Sequence, residues 1–89
     1  MTNNQIPEHY HIARYGKDLS PELTVFGQDG EWIVVDTWHD VCDEGGLLGK
    51  FRTLKEACEF ADNKIKEVYP DTKPSYGAGF PKYWSQINP

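Results

Sequence analysis

The sequence predicts an α+β fold: three or four antiparallel strands in a meander, with one amphipathic helix packed on one face of the sheet. Three observations carry this expectation. Two runs rich in β-branched and aromatic residues, at 22–26 and 31–37, flank the turn sequence GQDG. A capping box, TLKE at 53–56, opens a stretch of apolar residues spaced at three- and four-residue steps. The segment after it, rich in proline, glycine and aromatic residues, lacks any period.

The first strand is read at 8–15, EHYHIARY, where Tyr10 and Ile12 alternate with His9, His11 and Ala13. GKDLSP then breaks the pattern. The next two runs form a hairpin with Asp29 and Gly30 at the turn, because glycine accepts the positive φ that a tight hairpin demands. A two-residue turn fixes the register: Phe26 faces Ile33 and Thr24 faces Val35 on one side, Val25 faces Val34 and Gly27 faces Trp32 on the other. Both faces of the hairpin are therefore apolar, and both call for a cover. A short strand follows at 47–52. The helix starts at the Thr53 cap, carries Leu54, Ala57, Cys58, Ala61, Ile65 and Val68 as one stripe, and stops at Pro70. Residues 1–69 are thus expected to form a compact β-β-β-(β)-α domain. Residues 70–89 form a Pro/Gly/aromatic tail with no regular element, whose Tyr76, Phe80, Tyr83 and Trp84 fold back over the uncovered sheet face or serve as a secondary partner-binding arm.

Eighty-nine residues make a single domain with a small core. The chain begins without a basic, apolar leader and nowhere collects about 18 apolar residues in a row, so the expectation is a cytoplasmic protein that does not enter a membrane. Cys42 and Cys58 are then expected as free thiols. Fourteen acids against nine bases give a net charge of −5. That balance disfavours a protein whose main task is holding phosphate backbones. The distribution is more informative than the total. Between Asp18 and Gly49 stand eight acids and no Lys or Arg, whereas Lys50 to Lys66 carries five bases and three acids.

The chemistry-bearing stretch is WHDVCDEGG at 38–46. A cysteine nucleophile needs a histidine in hydrogen-bond reach, but His39 and Cys42 lie an odd number of residues apart and would face opposite ways on a continued strand, so a dyad survives only if this segment is an irregular loop, which Gly45 and Gly46 allow. No hydrolase elbow, phosphate loop, zinc-protease helix or paired-cysteine motif accompanies them. No catalytic residue and no cofactor is expected. A zinc site through His9, His11, His39 and Cys42 is a lesser alternative, since only the His-x-His half has a metal-binding spacing. Lys50 and Arg52 with the strand aromatics Tyr10 and Trp32 suggest a second alternative, a small nucleic-acid-binding domain. Carboxylates interleave with the bases on the helix and weaken it.

The leading expectation is a non-catalytic interaction module, monomeric or dimeric, that docks on a basic surface of a larger, nucleic-acid-handling protein. Asp29, Glu31, Asp36, Asp40, Asp43 and Glu44 would line one edge and end of the sheet, with Trp38 as apolar anchor. Asp36 is odd in this set, because it shares a strand face with Trp32 and Val34 and so either sits at the sheet's margin or is partnered by a base such as Arg14. In size, acidity and lack of a catalytic signature the chain is similar in general character to the small inhibitors that phages and mobile elements direct against host defences, anti-CRISPR and anti-restriction proteins among them. The likeness is one of character and involves no shared motif.

Overall fold

The computed structural model describes residues 8–28, 30–76 and 80. Strands β1 (Glu8–Tyr15), β2 (Glu22–Gln28), β3 (Glu31–Asp36), β4 (Gly46–Phe51) and β5 (Lys73–Ser75) build one antiparallel sheet in the order β4-β3-β2-β1-β5, and helix α1 (Leu54–Val68) packs on it. This is the expected α+β meander with one helix. The β2–β3 register is the one the turn dictates, with Val25 opposite Val34 and Gly27 opposite Trp32. Gly30 has φ +86°, a value that suits glycine at a tight turn. Asp29 lies outside the described residues.

Alternation sends Ile12, Leu23, Val25, Trp32 and Val34 toward the helix, where they bury against Ala57, Cys58, Ala61 and Ile65. Each of the larger aliphatic side chains so buried contributes about 1.5–3 kcal/mol. Trp32 fits because β2 carries Gly27 opposite it: a Cβ there would stand 2.6 Å from the indole Cε3. The helix starts as its capping box requires, with Thr53 Oγ1 accepting from the Glu56 amide at 3.1 Å and Glu56 Oε1 accepting from the Thr53 amide at 3.3 Å. Its apolar stripe ends differently from the expectation. Val68 is exposed, and half-buried Tyr69 takes its place against the core.

Inside the helix–sheet layer lies a buried ion pair. Arg14 follows Ile12 on the helix-facing side of β1, and Asp62 stands between Cys58 and Ile65 on the helix stripe. Arg14 Nη1 donates to Asp62 Oδ1 at 2.6 Å, while Nε donates to Thr72 Oγ1 at 3.1 Å and Nη2 to the Thr72 carbonyl at 2.7 Å. One guanidinium thereby fastens β1 to the helix and to the turn that leads into β5. That turn corrects the expectation of an irregular tail from residue 70 onward. Lys73–Ser75 pairs with β1 as a three-residue edge strand, a place where Pro74 is tolerated because the outer side needs no donor.

Phe80 packs against the helix-side core, and Tyr76 is exposed. Phe80 is therefore not part of a cover over the second sheet face. Tyr83 and Trp84 lie outside the described residues. By register the second face carries His9, His11, Thr24, Phe26, Ile33, Val35, Leu47 and Lys50. No described helix is long and apolar enough to cross a membrane.

Candidate protein-interaction site

The β3–β4 connection is built around Asp36. This side chain ends β3 on the helix-facing side and has no solvent exposure. Its Oδ1 accepts from the Asp40 amide at 2.9 Å, and its Oδ2 accepts from the amides of Val41 at 2.9 Å and Cys42 at 2.8 Å. Three backbone donors satisfy a charge that the interior would otherwise reject. The structure thus removes Asp36 from the docking residues and from Arg14, whose guanidinium is taken by Asp62. Strand parity put Asp36 on the face of Trp32 and Val34 and left open whether it sat at the sheet's margin or against a base. It could not show that the chain turns back over the carboxylate.

Asp40 is also committed to the fold. Its Oδ2 accepts from the Glu22 amide at 3.0 Å, and its carbonyl accepts from the Tyr69 hydroxyl at 2.8 Å, which ties the loop to β2 and to the end of the helix. His39 takes a left-handed φ of 60°, and its Nδ1 lies 3.0 Å from the Asp43 carbonyl. A carbonyl only accepts, so Nδ1 is the protonated nitrogen in this contact. Gly45 closes the turn: its amide donates to the Cys42 carbonyl at 2.9 Å, and a Cβ there would stand 2.8 Å from the His39 ring.

Against this pinned backbone, Trp38 is 66% exposed, and Asp43 and Glu44 point to solvent on the same loop. Glu31 is exposed as well, but it starts β3 while Asp36 ends it, so about 17 Å of strand separates the two. The acidic residues therefore do not line one continuous rim. Trp38, Asp43 and Glu44 are carried by the β3–β4 loop, and Glu31 stands at the opposite, hairpin end of β3.

The alternative chemistries find little in the geometry. Tyr10 and Trp32 are on the helix-facing side, with Trp32 only 6% exposed, so neither is a stacking platform. Lys50 and Arg52 share a shallow depression with Glu31 and Glu56, which mixes its charge. His9 and His11 meet edge to face with ring centroids 5.7 Å apart on β1, and His11 Nδ1 lies 3.2 Å from Glu22 Oε1. Among the described residues no three His, Cys, Asp or Glu side chains come together as metal ligands. Both cysteines are free. The Cys58 thiol is pushed up to about 12 by burial and, secondarily, by Glu59, which keeps it protonated and unreactive. Compared with protein-family models, with curated proteins and with solved structures, the chain matches none of them.

Proposed function

We propose that the protein is a non-catalytic interaction module, an inhibitor or adaptor that docks on a basic surface of a larger, nucleic-acid-handling protein through the β3–β4 loop. The observation that supports this reading is a largely exposed tryptophan and two exposed carboxylates on one loop, whose backbone is held by the buried Asp36 carboxylate. A preorganised loop loses little conformational entropy on binding. Tryptophan supplies the apolar anchor, and the flanking charges steer a basic partner and fix its orientation.

The test is quantitative affinity capture from host lysate with the tagged protein and with a Trp38→Ala, Asp43→Lys, Glu44→Lys variant. All three positions are exposed, so the thermal transition should hardly move. The expected result is a basic partner retained by the natural protein and lost by the variant. Equal capture by both proteins would remove this loop from the interface.

A further inference from the structure

We infer that the protein self-associates through β4, with the β4 strands of two copies pairing antiparallel to join their sheets. The two edges of the sheet are not alike. β5 is only three residues long and carries Pro74, features that block strand addition. β4 is six residues long, Gly46–Phe51, contains no proline and has one charge, and no described strand pairs with its outer side. Its Leu47 is 53% exposed. A bulge beside Val34 and Val35 interrupts the pairing with β3 at Leu48, whose side chain turns in to pack against the core. The bulge adds local twist and shortens the regular stretch.

Those charges are arranged for a second copy. β4 lies where the acidic half of the chain gives way to the basic half. Asp43 and Glu44 precede it, Lys50 belongs to it, and Arg52 follows it; all four are exposed, with Glu31 and Glu56 sharing the depression of the two bases. Among the described residues none of the four joins an ion pair. A strand with an acidic start and a basic end complements itself under an antiparallel two-fold, because each acidic start then lies beside the other copy's basic end. Over full overlap Leu47 faces Lys50 and Leu48 faces Gly49 of the second copy.

The experiment is sedimentation of the pure natural protein and of two charge-reversed variants, Asp43→Lys with Glu44→Lys, and Lys50→Glu with Arg52→Glu. Circular dichroism confirms that each remains folded. The natural protein is expected to show a concentration-dependent dimer below about 1 mM. Each variant alone is expected to weaken self-association at least about tenfold, because like charges then meet. Their equimolar mixture is expected to restore a heterodimer. A natural protein that stays monomeric, variants that dimerise as well as it does, or a mixture that fails to associate would each overturn the inference. No partner protein is present in this measurement, so it stands or falls separately from partner capture by the β3–β4 loop.

Discussion

Asp36 shows how one side chain decides the shape of a whole connection. With its carboxylate removed, the amides of Asp40, Val41 and Cys42 would be left without their acceptor in a partly buried turn. Hydrogen bonds to a charged group contribute about 1.5–3 kcal/mol each, with partial rescue by water. Asp36→Ala should therefore destabilise the protein by about 3 kcal/mol or more in a urea titration. It should also free the loop, which Trp38 would report as a fall in fluorescence anisotropy. A loss under about 1 kcal/mol would mean that the carboxylate does not organise the turn. Cys58 makes a different demand. Its thiol is raised from 9.0 to about 12, so between those values the native state holds a proton that the unfolded chain has released. Stability from this group is complete below about pH 9 and declines as pH rises toward 12, by at most about 1.4 kcal/mol per unit. Denaturant titrations at about pH 8 and about pH 10 should show a smaller alkaline loss in Cys58→Ala than in the natural protein. Equal losses would exclude the buried thiol as the cause.

At the scale of elements, the parts legible in the sequence are those specified by neighbours in the chain. The Asp-Gly turn fixed the β2–β3 register and TLKE fixed the helix start, because each works through contacts within four residues. Thr53→Ala should cost about 1 kcal/mol, read as a lower urea midpoint with an unchanged slope. The strand β5 was not legible, since three residues including Pro74 carry no period and gain their place from Arg14 and Thr72. The Arg14–Asp62 pair joins residues 48 positions apart, so spacing alone could not announce it. A signal was nonetheless present: Asp62 interrupts the stripe of Cys58, Ala61 and Ile65 on the buried side of the helix. Replacing either partner strands a charge among apolar groups. Arg14→Met or Asp62→Leu alone should cost about 3–5 kcal/mol, and the double variant should recover most of that loss. Additive single losses in the double-mutant cycle would show that the two charges do not depend on each other.

At the scale of the whole molecule, the sheet is greasy on two sides but covered by the helix on one. The hairpin register implied the first half of that statement, since Leu23 and Val25 alternate with Thr24 and Phe26 along β2. It could not say which face the helix would take, because that choice rests on long-range packing, with Gly27 making room for Trp32. The same limit applies to the candidate site. Trp38, Asp43 and Glu44 were readable as exposed loop residues, whereas the removal of Asp36 and the separation of Glu31 follow only from the three-dimensional path. Among the described residues the core lies on the helix side of the sheet, and this makes a prediction that side-chain size would reverse. Leu23 has no solvent exposure and lies under the helix, while the larger Phe26, three residues later, is 37% exposed on the other face. Leu23→Ala should leave a sealed cavity and cost about 2–5 kcal/mol. Phe26→Ala opens space that water refills, so it should cost less than about half as much despite removing more atoms. The two urea midpoints decide the matter: if Phe26→Ala is the more damaging change, the second face is packed as a core and the sheet has two covers.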